Sequence, residues 1–271
     1  MEGQQKNQEG LDNGQGYLAL VNFLERSLIK NFKRGLRKPG DVGSNPTGAI
    51  MFTYLFGSLL AFVVWIIFYC IRQDLRREML TIGMLTAILG ILGGLLGWTQ
   101  DWWHPETITG TPVGIEDFIF GFSYGGFASV VFQVLEKKKS TKKFATDWKK
   151  FLIPASGFAA IFLLFFIFHQ HSFYASAAGM LIPAGIIYFL RHDLIRASIF
   201  TGIVTAIGAM IGFFILNLLQ PNFVQQWWML NKLSGILIFG LPFEDLAWFF
   251  SAGLLFGPLY TFWHGREFTN I

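Results

Sequence analysis

Two acidic pairs, Glu116-Asp117 and Glu244-Asp245, each open an apolar, aromatic-rich stretch of this 271-residue chain. The stretches read Gly114-Ile-Glu-Asp-Phe-Ile-Phe-Gly-Phe and Pro242-Phe-Glu-Asp-Leu-Ala-Trp-Phe-Phe. One acid in a first helical turn is an ordinary complement to the helix dipole, and marks a helix start. Two adjacent acids at membrane depth, occurring twice, point to function. Desolvation penalises the charged form of a carboxyl group, so one in apolar surroundings keeps its proton and can act as a general acid. The faces of Phe118, Phe120 and Phe122 in one stretch, and of Trp248, Phe249 and Phe250 in the other, attract cations. Acid and aromatics together suit a carbocation formed on a hydrophobic substrate. Ring packing or an interfacial aromatic belt is the plainer alternative for the rings.

These residues need a scaffold that crosses a membrane. Apolar side chains make up 53% of the chain and charged ones 14%, outside the range of soluble domains. A span needs about 20 apolar residues. Seven stretches qualify, near 51 to 71, 79 to 98, 115 to 135, 151 to 169, 172 to 190, 195 to 219 and 239 to 262. Helices satisfy their own backbone in lipid, so the expected fold is an all-α polytopic transmembrane bundle. The fourth and fifth spans nearly touch and form a tight hairpin. A single cysteine, Cys70, excludes a disulfide framework.

The net charge of +4 follows membrane topology and gives no reason to expect nucleic acid. Seven basic residues between Lys137 and Lys150 place that loop in the cytoplasm. Alternation then puts Arg72, Arg76, Arg77, Arg191, Arg196 and the C-terminal Arg266 inside, and only Lys232 outside. The basic tail 1 to 50 conflicts with this count. Val21, Leu24, Leu28 and Phe32 share one helical face, as in a surface-lying amphipathic helix. A start assigned too early, with Met51 as the true one, is the other reading.

The chain repeats itself. Arg72-Gln-Asp-Leu-Arg, Thr86 and Gly93 match Arg191-His-Asp-Leu-Ile, Thr205 and Gly212 at an offset of 119. Glu116, Asp117, Phe122 and Gly125 match Glu244, Asp245, Phe250 and Gly253 at 128, and Trp102-Trp103 matches Trp227-Trp228. Residues 51 to 136 and 172 to 264 are thus two three-span units, with the basic loop and a linker helix over 137 to 171 and a tail over 265 to 271. One extra span between the units makes the repeats parallel, so both acidic pairs lie on the same, non-cytoplasmic side. They can share a cavity.

The remaining constellations read as structure. Glycines 90, 93, 94, 97, 121, 125, 208, 212, 253 and 257 form small-xxx-small pairs suited to close helix packing. The tryptophan pairs read as interfacial anchors. Asp74 and Asp193, each two residues after an arginine, read as local ion pairs. The histidines show no metal-ligand spacing, and no phosphate-binding loop occurs, so no metal or nucleotide cofactor is expected.

Pro242-Phe-Glu244-Asp245 with its aromatics, the duplication and the span number together resemble the membrane-integral carotenoid (lycopene) cyclases of the heterodimeric and fused type. These carry a Pro-x-Glu-Glu/Asp motif in each of two three-span units. The resemblance covers about residues 51 to 264. The first copy departs from it, with Gly114 in place of the proline. The resemblance implies a redox-neutral, cofactor-free cyclisation of the ψ end group of lycopene or a related linear carotenoid. It implies Glu244 as general acid, Glu116 or Asp245 as base, Asp117 in electrostatic support, and Trp248, Phe249, Phe250, Phe122 and Phe118 around the cation. The partners implied are an apolar carotenoid and the bilayer, with self-association or association with other carotenoid enzymes left open. A hydratase quenching the same cation with water, a transporter and a non-catalytic carotenoid-binding subunit are the competing functions. An aspartate-rich prenyltransferase is disfavoured, because no magnesium and diphosphate motif is present.

Overall fold

The computed structural model describes residues 47–145 and 148–270. The amphipathic face over Val21 to Phe32 lies outside them. The elements are α1 (Thr47–Ile71), α2 (Arg76–Gly93), α3 (Ile115–Leu135), β1 (Lys138–Lys142), α4 (Ile153–Ile161), α5 (Ser172–Leu190), α6 (Ile195–Leu219), β2 (Leu237–Ile238), β3 (Leu241–Pro242), α7 (Phe243–Trp263) and β4 (Arg266–Asn270). Turns of π-helix at Gly94–Trp98 and Phe162–Ile167 prolong α2 and α4. All seven long helical segments are long and apolar enough to cross a membrane. Large apolar side chains such as Phe189, Phe214 and Leu218 stand exposed on their outer faces, where lipid would cover them.

The repeats recur contact by contact. Arg72 grips Asp74 at 2.8 Å and donates to the carbonyl of Lys138, and Arg191 grips Asp193 at 2.6 Å and donates to that of Arg266. Thr86 Oγ1 donates to the carbonyl of Gly121 at 2.7 Å, and Thr205 Oγ1 to that of Phe249 at 3.0 Å. These bonds tie α2 to α3 and α6 to α7, two of the tightest helix pairs. Glycine makes the approach possible. A Cβ at Gly125 would stand 1.9 Å from Thr86 Oγ1, and one at Gly253 2.4 Å from Thr205 Oγ1.

Two short pairings mark a pseudo-two-fold axis through the bundle. At one end β1 and β4, equivalent segments after α3 and α7, pair antiparallel with Ser140 opposite Phe268. At the other end Trp103 and Trp228, also equivalent, form an antiparallel bridge. The β1–β4 ribbon is absent from the expected fold, which left these residues as a loop and a tail. Neither segment is apolar, and each becomes a strand only because the repeat brings its copy alongside.

The helices are not equally enclosed. α7 is the most buried span and α4 among the least. α1 stands off from the bundle and reaches it through side chains. Trp65 packs on Gly126 and Phe122, while Tyr54 meets the rings of Trp103 and Trp227. The expectation that every paired glycine marks close packing fails at Gly208 and Gly212, where a Cβ would meet nothing within 4 Å. The tryptophan pairs are not lipid-facing anchors. Trp102, Trp227 and Trp228 are buried against one another, Tyr54 and Phe223.

Candidate active site

A cavity of about 800 Å³ runs through the middle of the bundle and draws its walls from all seven long helices. Both repeats contribute one carboxylate to it. Asp117 and Asp245 line the cavity, and Glu116 and Glu244 do not. The helical step explains the division. Asp117, Phe120, Gly121 and Tyr124 follow one another at three- and four-residue spacing along one face of α3, and Asp245, Trp248 and Phe249 do so along α7. All of these line the cavity.

The glutamates turn instead to the loops before their helices. Glu116 Oε1 accepts the backbone N–H of Ile108 at 2.6 Å, and Glu244 Oε1 accepts that of Ser234 at 2.6 Å. The same anchoring in both copies fixes the loop entering each helix. Burial is nearly complete for both, with the second oxygen of each left without a partner among the described residues.

The aspartates differ in their surroundings. Asp117 Oδ1 accepts Tyr54 OH at 2.7 Å, and its Oδ2 accepts the backbone N–H of Gly114 at 2.8 Å. Neither donor has a counterpart in the second repeat. At the offset of 119 Tyr54 becomes Phe173, which has no hydroxyl, and at 128 Gly114 becomes Pro242, which has no N–H. Asp245 Oδ2 therefore has no hydrogen-bond partner among the described residues, though the side chain is 5% exposed. The indoles of Trp102 and Trp228 face this carboxylate, and their N–H groups do not close to hydrogen-bond geometry. Gly114 is also closely packed, since a Cβ there would stand 2.3 Å from Glu116 Oε2 and 2.9 Å from Thr107 Cβ. The missing proline in the first motif accounts for one of the two hydrogen bonds that Asp117 accepts, and Tyr54 for the other.

Aromatic rings enclose the two carboxylates. Tyr124 packs on Trp248 and Phe249 with ring centres 5.9 and 5.2 Å apart, Phe120 packs on Phe249, and Trp98 on Trp248 at 5.5 Å. The Tyr124 hydroxyl donates to the Phe249 carbonyl at 2.9 Å. Of the rings expected around a cation, Trp248 and Phe249 line the cavity, whereas Phe118, Phe122 and Phe250 do not. Phe122 lies between Phe118 and Trp65 on the α1 side, and Phe250 fills the space above Gly202. Tyr54, Tyr124, Trp98 and Phe213 are lining residues that the motifs alone did not single out, and Trp102 and Trp228, expected as interfacial anchors, line the cavity as well. The repeated tryptophan pair and the unequal positions 54 and 173 are the sequence signals for them.

No curated protein and no solved structure matches the chain significantly. The lycopene cyclase family model matches it over residues 48–135 and 171–263, one segment for each repeat. The chain belongs to the lycopene cyclase family.

Proposed function

We propose that this protein is an isomerase that cyclises the acyclic ψ end group of lycopene or a related linear carotenoid through a carbocation. The observation that carries the reading is one unbonded, buried carboxylate oxygen facing an aromatic cavity inside a membrane bundle. Protonated Asp245 gives its proton to the terminal double bond. The internal double bond attacks the resulting cation and closes the ring carbon–carbon bond. Asp117 then removes a proton from the ring, leaving a new double bond. One proton is given and one taken, so the product is an isomer and no oxidant or reductant is consumed.

The surroundings support this division between the aspartates. Asp245 Oδ2 accepts no hydrogen bond among the described residues, while both oxygens of Asp117 accept one. Trp248, Phe249, Phe120 and Tyr124 offer π faces to the cation and keep water from it. Glu116 and Glu244 act as positioning residues through the loops they hold. Positive charge collects at the β1–β4 end, in Lys138, Lys139, Lys142 and Arg266, which supports placing that end in the cytoplasm.

Expression in a lycopene-accumulating bacterium, followed by pigment chromatography and mass measurement, tests the proposal. A new pigment of unchanged mass supports the cyclase. A gain of one water would point to hydration, and unaltered lycopene beside abundant membrane-inserted protein would defeat both.

A further inference from the structure

Cavity-lining residues reach the lipid-facing surface in two groups, one on α1 and α6 with Ala61, Val64, Gly208 and Gly212, and one on α2 and α4 with Leu92, Leu96, Phe158 and Phe166; we take each as a mouth of the cavity. The first is near the middle of its helices, at a depth where only an apolar group can pass, whereas Leu92, Leu96 and Phe166 stand near the ends of their segments.

The pseudo-two-fold axis relates the first mouth to the α5/α2 cleft, and the two clefts have diverged. Over α5 and α2 the linker helix α4 is laid down, with a Cβ at Gly157 reaching 2.1 Å from the carbonyl oxygen of Gly179. Trp98 covers Gly93, its ring 2.6 Å from where a Cβ would stand, and Phe165 covers Gly97 at 3.0 Å. The Trp98 indole N–H donates to Ser176 Oγ at 2.7 Å and pins α2 to α5. In the α1/α6 cleft Gly57 takes the place of Ser176 and Asn217 that of Trp98. The counterpart of Gly93 is Gly212, and with Gly208 one turn earlier it borders open space.

A glycine inside a helix costs about 1 kcal/mol relative to alanine, normally offset by close packing. At Gly208 and Gly212 no packing offsets it. What these residues supply is bore, on a path continuous with the unbonded oxygen of Asp245.

We propose that the α1/α6 mouth carries the unreacted polyene tail of the substrate out to the bilayer, with Gly208 and Gly212 setting its width. This rests on the reading that the cavity receives a linear carotenoid. Such a molecule is far longer than one end group, so most of it must lie outside the volume beside the aspartates. The tail leaves by the mouth bordered by Gly208 and Gly212, where a Cβ would meet nothing within 4 Å.

The test compares Gly208→Leu and Gly212→Leu with Gly185→Leu. Gly185 also has nothing within 4 Å of a Cβ, and it does not line the cavity. Each protein is made in lycopene-accumulating cells and purified in detergent. Two quantities are read: lycopene-derived pigment retained per protein, and the fraction cyclised. Gly208→Leu and Gly212→Leu are expected to lower retention by roughly tenfold, the size of an overpacking penalty, with Gly185→Leu within about twofold of wild type. Leu92→Phe, at the other mouth, should lower it by less than Gly212→Leu does.

Retention unchanged in both cavity variants would overturn the proposal. So would an equal loss in Gly185→Leu, a larger loss in Leu92→Phe, or a wild type that retains lipid and no carotenoid. A wild type that retains lycopene without cyclising it would sink the cyclase reading while leaving the tail path open to the same comparison.

Discussion

At the scale of single residues, the difference between two aspartates comes from two positions, Phe173 and Pro242, that offer no donor where Tyr54 and Gly114 do. Asp245→Asn removes the proposed proton source, and the cyclised fraction is expected to fall by about 10²- to 10⁴-fold. Tyr54→Phe removes the 2.7 Å bond to Asp117 and leaves its bond to Gly114. The expected loss there is smaller, roughly tenfold, in line with one hydrogen bond to a charged group. Glu244→Gln keeps an acceptor for the Ser234 N–H and should retain most turnover, whereas Glu244→Ala releases the loop. Pigment analysis of the four variants at matched protein level separates the roles. Complete loss in Glu244→Gln with activity kept in Asp245→Asn would return the acid role to the glutamate. All four carboxylates could be picked out from the sequence as chemically suspect. Which member of each pair faces the cavity could not, since Glu244 and Asp245 are both one turn from Trp248, and the family resemblance favours Glu244 as the acid. The bonding partners could not be read this way either, because Tyr54, which bonds Asp117, and Ser234, which holds Glu244, come from outside the motifs.

At the scale of elements, the helices were legible because a span leaves a long apolar run, and the observed ends differ from the expected ones by only a few residues at most boundaries. The ribbon β1–β4 was not, since its residues are charged and polar and pair only through the pseudo-symmetry. Glycines could be located but not sorted. Gly125 and Gly253 serve helix crossings, while Gly208 and Gly212 serve empty space, and the sequence pattern is the same for both. Gly125→Leu or Gly253→Leu should destabilise the fold by about 1–3 kcal/mol through overpacking against Thr86 or Thr205. Thermal unfolding in detergent should show a clearly lower midpoint for these two variants and none for Gly185→Leu. The same midpoint in all three would mean that the crossings tolerate a side chain.

At the scale of the whole molecule, the bundle is closed at each end by a pairing across the axis. The β1–β4 end also carries His264, just beyond α7. Burial first, and then the positive charges of Arg266, Arg77 and Lys142, hold its pKa below the usual 6.5. The unfolded chain therefore binds a proton more readily than the folded one. Stability from this group is present above pH 6.5 and is lost as the pH falls through the folded-state value. The unfolding midpoint should drop on acidification below about pH 6.5, and His264→Gln should flatten that drop. An equally steep fall in the variant would assign the acid sensitivity to other groups.

The paired ends have a consequence for how such a catalyst could arise. Two identical three-helix chains could already zip at both ends, and they would present two identical aspartates to a common space. Twins in identical settings titrate alike, so neither is set apart as donor or acceptor. Joining the copies in one polypeptide gives each its own mutational history. A hydroxyl at position 54 with none at position 173, and a glycine at 114 against a proline at 242, are enough to break the tie. Division of labour between the two halves then needs no new fold, only permission for the copies to stop being the same.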